Sequence, residues 1–185
     1  YQYFGQLSGQ TQFQLPQPMI LIMEGGKHGN WATDIQEFMI VPQRDKFSSF
    51  REMLRSGAEI FHTLGELLAE KKYSVGVGFE GAYAPEQLHS NQEAFDLIIQ
   101  ACERAGYKPG VQITLAVDIA ASEFYGDNNY QLKSENNRVL TAEEWQQQVI
   151  SWTNQYPLTS VEDPFNQDDW TDWSALTAQI GNKIQ

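Results

Sequence analysis

Cysteine, positive charge and long apolar runs are all scarce in this chain of 185 residues. The single cysteine, Cys102, cannot form an internal disulfide, which favours a reducing compartment. Twelve Lys and Arg against 24 Asp and Glu give a net charge of −12, which disfavours nucleic acid and anionic lipid as partners. No apolar run approaches the roughly 20 residues that cross a bilayer, and no signal-peptide pattern opens the chain. We therefore expect a cytoplasmic protein with no nucleic-acid or membrane partner.

What the sequence does contain is typical of a globular protein, with 41% apolar and 19% charged residues. One domain is expected at this length. The acidic balance suits divalent cations, although solubility alone explains it as well. Because the chain opens at Tyr1 and closes just after the helix-stop pattern Gly181-Asn182, both ends look cut from a longer protein.

Five short runs of apolar and β-branched residues are typical of buried strands. They are Pro18–Gly25, Asp34–Pro42, Tyr73–Gly81, Ile113–Ala120 and Leu158–Pro164.

Between these runs, apolar residues recur at steps of three and four, which predicts helices. Capping-box patterns open the second and third helices at Ser90 and Thr141. The predicted helices are Phe47–Lys72 as one helix or two, Ser90–Ala105, Thr141 to just before Pro157, and a last one from Asp168 or Asp169.

The order of these elements is two strands, a helical stretch, and then alternating strands and helices. This alternation favours a parallel sheet with right-handed crossovers. The Asn-rich stretch Gly126–Asn137 is interpreted as a surface excursion. Cys102 lies on the apolar side of its helix and is interpreted as a small core residue.

Four carboxylates interrupt or end apolar strands, one in each unit: Glu37, Glu80, Asp118 and Glu162. In a β/α barrel the carboxyl ends of the strands meet at one mouth, so these acids would converge. Carboxylate oxygens suit Mg²⁺, and carboxylates off the metal could act as general acid or base. The alternative is that each acid simply bonds backbone amides or caps the next helix.

Several motifs resemble enolase, in order and at similar separations. The strongest are Gln36–Ile40, Val117–Asp118 with Ala121–Phe124, and Ser160–Phe165 followed by Asp168–Trp170; weaker ones are Ser56–Glu59, Ala84–Pro85 and Ala105–Lys108. The resemblance implies an α/β fold, an incomplete TIM-like barrel whose first two strands are consecutive and precede β/α units. Residues 1–185 would be the first part of the barrel domain, with the N-terminal capping domain and the last barrel strands outside it.

The resemblance also implies roles for five residues. Asp118 and Glu162 would be metal ligands for Mg²⁺, Glu37 and Glu80 would assist departure of the substrate hydroxyl, and His28 would bind substrate from a mobile loop, with Glu37 beside it. The implied reaction is the magnesium-dependent, glycolytic interconversion of 2-phosphoglycerate and phosphoenolpyruvate. The full-length form is expected to be a homodimer or larger. A lone histidine without this match is ordinary surface, and His62 and His89 are interpreted in that way.

The sequence departs from the enolase pattern at three places. Phe79 replaces an acidic residue beside Glu80, and if buried it would desolvate that carboxylate. Glu24 stands where Asn is usual, and Lys27, Gly29 and Trp31 alter the His28 loop. The third metal ligand, the proton-abstracting Lys and further substrate-binding residues would lie beyond Gln185, so this chain alone is not expected to turn over substrate.

Three functional alternatives remain open at this point. The first is a portion of a working enolase. The second is an inactive enolase-like chain kept for binding or for structure. The third is another superfamily lyase that acts on an acid sugar.

Overall fold

The computed structural model describes all 185 residues as two β-sheets and five α-helices. The helices are α1 Gln2–Ser8, α2 Phe50–Glu70, α3 Asn91–Arg104, α4 Ala142–Gln155 and α5 Trp170–Ile180. The strands are β1 Ile20–Glu24, β2 Glu37–Pro42, β3 Ile113–Asp118, β4 Tyr125–Gly126, β5 Asn129–Leu132, β6 Arg138–Thr141 and β7 Leu158–Glu162. No helix in the structure has the length and apolar character that a membrane crossing requires.

The main sheet is open, with strand order β1-β2-β3-β7, and is not a closed barrel. The prediction of a parallel sheet is correct only for β3 and β7, because β2 runs antiparallel to both β1 and β3. Between β1 and β2 there is only a loop, and without a crossover element the chain turns straight back. The fold is therefore mixed α/β, with β2 reversed among its neighbours.

The strand predicted over Tyr73–Gly81 does not form. Three glycines interrupt the segment, and only isolated bridges join Val77 to Tyr83 and Tyr83 to Met23. Its alternating apolar side chains face solvent, with Phe79 85% exposed. The apolar run was therefore misleading, because the segment lies beside β1 as a turn and not within the sheet.

The surface excursion predicted at Gly126–Asn137 is also wrong. This stretch contains β5, the central strand of a small antiparallel sheet with β4 and β6. Tyr130 and Leu132 point inward and are fully buried, and the Tyr130 ring stacks on Trp145 with centroids 5.6 Å apart. The Asn-rich turns are solvent-facing, but the strand between them belongs to the core.

The four predicted helices are confirmed, and their starts follow the capping residues. Ser90 Oγ accepts the Glu93 N–H at 3.1 Å, and Thr141 forms a full capping box with Glu144. Phe47–Lys72 yields one helix of 21 residues. Asp169 caps the last helix. Helix α1, which the sequence did not predict, precedes this framework.

Helices α2 to α5 bury their apolar faces in one cluster of 32 buried residues, whereas α1 contributes none. Cys102 is fully buried there, and burial raises the pKa of its thiol to about 12. The interpretation of Cys102 as a core residue is thus confirmed. This core fixes the strand ends on which the acidic residues stand.

Candidate functional site

The strand-end acids lie in one row across the main sheet. Glu24 pairs with Glu37, Glu37 with Asp118, and Asp118 with Glu162. Glu37 begins its strand and the other three end theirs. Because β2 is antiparallel to its neighbours, all four positions nevertheless meet at the same end, which we call the acidic end of the sheet.

Glu80 reaches this acidic end from outside the sheet. It lies in the turn formed by residues 78–82, next to the edge strand β1. His28, on the loop between β1 and β2, brings its Nδ1 to 3.7 Å from a carboxylate oxygen of Glu37 and 3.7 Å from one of Glu80. The ligand atoms of the three side chains all lie within 4.8 Å of one another.

Glu37 is the carboxylate with the most unusual environment. Burial, together with the nearby charges of Glu80, Asp118 and Glu162, raises its pKa from 4.5 to about 7, while His28 opposes this increase. None of the contributions to this shift is a hydrogen bond. At neutral pH the Glu37 carboxyl therefore holds its proton about half of the time, as a general acid requires.

Asp118 and Glu162 form the other half of the acidic row. Burial, together with the charges of Glu162 and Asp163, raises the pKa of Asp118 from 3.8 to about 6. The Ala120 N–H donates to one Asp118 oxygen at 3.1 Å, and the Gln36 amide donates to the other at 3.4 Å, which lowers the pKa in part. Glu162 is exposed. The pair thus presents repelling carboxylates toward open space.

Glu24, which the sequence marked only as a departure, is completely buried at this end. Its carboxylate accepts the Ala82 N–H at 2.9 Å and the Glu80 N–H at 3.2 and 3.3 Å. It thus fills the alternative role considered for strand-end acids, that of an acceptor for backbone amides. The signal for this role was an acidic residue directly before the Gly-Gly of a loop.

The altered residues of the His28 loop each make a contact. Lys27 pairs with Glu123, and the Lys133 ammonium lies 3.4 Å from the centroid of the Trp31 ring. A Cβ atom at Gly29 would lie 2.7 Å from the Glu24 carbonyl carbon, so only glycine fits where the loop passes close to the Glu24 backbone. These contacts hold His28 over Glu37 and Glu80.

Phe79 does not desolvate Glu80, because its side chain points into solvent. Its ring centroid lies 6.1 Å from that of His28. His62 and His89 are exposed, in agreement with their interpretation as surface residues. Of the three histidines, only His28 joins the acidic end.

A comparison with known families gives a match over residues 12–185 to the C-terminal TIM barrel domain of enolase. The chain belongs to this family. The enolase resemblance carried by the strand-end motifs is thereby confirmed at the level of the domain. The match is to the C-terminal domain and does not support the narrower prediction that the chain is the first part of the barrel.

The residues singled out from the sequence converge in the structure of this enolase-family chain. In this enolase-family chain, Glu37, Asp118 and Glu162 are adjacent in register, and Glu80 and His28 approach from two loops. All five residues singled out from the sequence therefore lie at one end of the sheet. The arrangement can hold a proton at Glu37 and presents carboxylate oxygens to a cation.

Proposed function

We propose that this chain carries the acidic side of a magnesium-dependent lyase site that interconverts 2-phosphoglycerate and phosphoenolpyruvate, a glycolytic reaction of the cytoplasm. Membership of the enolase family favours a superfamily lyase. The observation that carries the finer assignment is the convergence of Glu37, Glu80 and His28 beside the Asp118–Glu162 pair. We further propose that the chain is the first part of the barrel domain and acts within a longer polypeptide.

The Asp118–Glu162 pair fits magnesium. Two carboxylates in register on neighbouring strands repel each other, which adds to burial in raising the pKa of Asp118, and a divalent cation would relieve that repulsion. Carboxylate oxygens are the ligands Mg²⁺ prefers. When bound, the ion would stabilise negative charge that develops on the substrate. The His28–Glu37–Glu80 group suits Mg²⁺ less well, because imidazole is a ligand of softer metals.

Glu37 fits the role of proton donor to the departing hydroxyl. Its pKa of about 7 keeps a proton available at neutral pH, where an ordinary carboxyl has lost it. Glu80 faces the same imidazole from the opposite loop and would share the hydroxyl with Glu37. The buried Nδ1 of His28 has no hydrogen-bond partner, so a substrate group that entered between it and the two carboxylates could bond to it.

The direct test is formation of phosphoenolpyruvate, followed by ultraviolet absorbance, on the longest natural polypeptide that contains this sequence. We expect turnover that requires Mg²⁺ and falls by about 10²-fold or more in Glu37→Gln. Glu86→Gln, which removes an exposed carboxylate, is the matched control and should leave turnover unchanged. A folded protein that binds no substrate and shows no turnover would contradict the proposal.

A second candidate is an inactive enolase-like protein that serves binding or structure. It is favoured by Phe79, which places an exposed phenyl group where the resemblance implies a carboxylate. Intact folding without turnover would favour this candidate. Turnover of an acid sugar in place of 2-phosphoglycerate would instead indicate another lyase of the superfamily.

We also propose that the protein is a homodimer or larger assembly. Outside the four strands, Tyr83 alone pairs with the edge of β1, and Gln185 alone pairs with the edge of β7. Open edges readily pair with other chains. Light scattering should give a mass above that of the monomer, and a stable monomer would contradict this proposal.

A further inference from the structure

Glu24 is a buried carboxylate whose partners all belong to one turn. A buried carboxylate costs stability unless hydrogen bonds or a cation compensate it. Glu24 pairs with no cation, and its acceptors are filled by the N–H groups of Glu80 and Ala82 at 2.9 to 3.3 Å. The side chain therefore binds the 78–82 turn to the end of β1.

The backbone around Glu24 ties the same elements together. Its own N–H donates to the Tyr83 carbonyl at 2.9 Å, and the Phe79 N–H donates to the His28 carbonyl at 3.0 Å. A Cβ atom at Gly78 would lie 2.6 Å from Glu24 Cδ and 2.5 Å from the His28 oxygen. Glycine at 78 thus leaves the space in which the Glu24 carboxylate and the His28 loop both approach the turn.

We propose that Glu24 is the positioning residue for Glu80. By accepting the Glu80 N–H, its carboxylate fixes the backbone from which the Glu80 side chain reaches His28 Nδ1. Two of the departures from the enolase pattern, Phe79 and Glu24, are then related. Phe79 points away from the site, and Glu24, at the end of β1, holds the turn that carries Glu80. The role of Glu80 in catalysis rests on the proposed function, but its placement by Glu24 does not.

Nuclear magnetic resonance of the full chain can measure this placement without turnover. The readout is the shift of the His28 ring signals caused by Glu80→Gln, which reports how closely Glu80 faces the imidazole. This shift is compared in three backgrounds: unmodified chain, Glu24→Gln and Glu24→Met. Methionine has a similar volume without an acceptor, whereas the amide oxygen of the Glu24→Gln variant can occupy the Oε1 position that faces both N–H groups. The Gln NH2 group then takes the Oε2 position, so the 3.2 Å bond from the Glu80 N–H is lost.

We expect the Glu80-dependent shift at His28 to fall by more than half in Glu24→Met and to be reduced by less than half in Glu24→Gln, which keeps the acceptor at the Oε1 position. Ile98→Ala, which opens the core within α3, controls for a loss of stability alone and should leave the shift unchanged. Equal shifts in the Met and Gln backgrounds would overturn the proposal, because filling space would then be enough.

Gly78→Ala provides a second variant in case Glu24→Met does not fold. It keeps the Glu24 carboxylate but forces a methyl group against it, and should reduce the His28 shift as Glu24→Met does. An unchanged shift would overturn the proposal. If the His28 shift depends on Glu24 as expected but the protein shows no turnover, the proposed function is contradicted and the positioning role of Glu24 stands. If the protein turns over substrate but the His28 shift does not depend on Glu24, only the positioning role is contradicted.

Discussion

Asp34 and Glu37 stand three residues apart in the sequence, yet the structure treats their carboxylates in opposite ways. Asp34 is 1% exposed and accepts hydrogen bonds from the Asn91 amide at 3.1 Å and from the Ser134 N–H at 3.1 Å, with the Ser134 hydroxyl as a third donor. Glu37 is partly exposed, faces like charges, and has only His28 near it as a possible cation.

The contrast shows that burial of an acid does not by itself indicate function. Asp34 and Glu24 are the more deeply buried acids, and both are satisfied by neutral donors that hold loops in place. Glu37 and Asp118 are less buried, but they face other carboxylates, and burial and this repulsion together raise their pKa values. A carboxylate that faces other carboxylates readily binds a proton or a cation, and catalytic sites depend on such groups.

The largest expected effect comes from removing the satisfied carboxylate. Asp34→Ala leaves the Asn91 amide and the Ser134 N–H without their acceptor, so the free energy of unfolding should fall by about 3 kcal/mol. Urea denaturation measures this loss. A decrease below about 1 kcal/mol would contradict the view that the hydrogen bonds of Asp34 stabilise the fold.

Glu37→Gln should have the opposite sign. Its pKa is higher in the folded state than in the unfolded chain, so the folded protein loses stability as the pH rises from about 4.5 to about 7. Replacement by the neutral amide should therefore raise the free energy of unfolding by about 1–2 kcal/mol at pH 8, with little change at pH 4, below both pKa values. Urea curves at both pH values check this, and a lower stability at pH 8 would contradict it.

The sequence predicted those parts of the fold that depend on local physics. Helix starts at Ser90, Thr141 and Asp169 follow from side chains that cap the first turn, and four strand positions follow from apolar runs. The turn around Phe79 was missed because its apolar residues resemble the run of a buried strand, and only its place outside the sheet shows otherwise. The reversed direction of β2 is likewise a tertiary property.

The site residues were predicted from their positions, but their environments were not. Glu37, Asp118 and Glu162 lie in one row because each stands at the end of a strand. The burial of the Glu24 side chain depends instead on backbone N–H groups of a loop 56 residues away along the chain. A sequence gives the order of charges along a chain. It does not tell which of them will find hydrogen-bond donors after folding.

Asp118 is intermediate between the two kinds of carboxylate, since hydrogen bonds satisfy it only in part. If it binds Mg²⁺, the affinity should be about tenfold weaker at pH 5 than at pH 8, because its pKa of about 6 leaves it mostly protonated at the lower pH. Calorimetric titration measures this, with Asp118→Asn expected to abolish the pH dependence. An affinity that is independent of pH would contradict the assignment of Asp118 as a ligand.

The exposed ion pair between Lys27 and Glu123 should matter least. Lys27→Met is expected to change the free energy of unfolding by less than about 0.5 kcal/mol, because solvent screens the pair. Urea denaturation again measures this change in the free energy of unfolding. A loss above about 1 kcal/mol would show that the exposed Glu123 carboxylate stabilises the fold as the buried Asp34 does, against expectation.

The most direct test of the account is a titration of the Glu37 carboxyl carbon by nuclear magnetic resonance, with Glu37→Gln to assign the signal. We expect a pKa of about 7. We also expect Glu80→Gln to lower it, since the charge of Glu80 contributes to the shift. A Glu37 carboxyl that titrates near 4.5 and ignores Glu80 would contradict the claim that this end of the sheet holds a carboxylate poised to carry a proton.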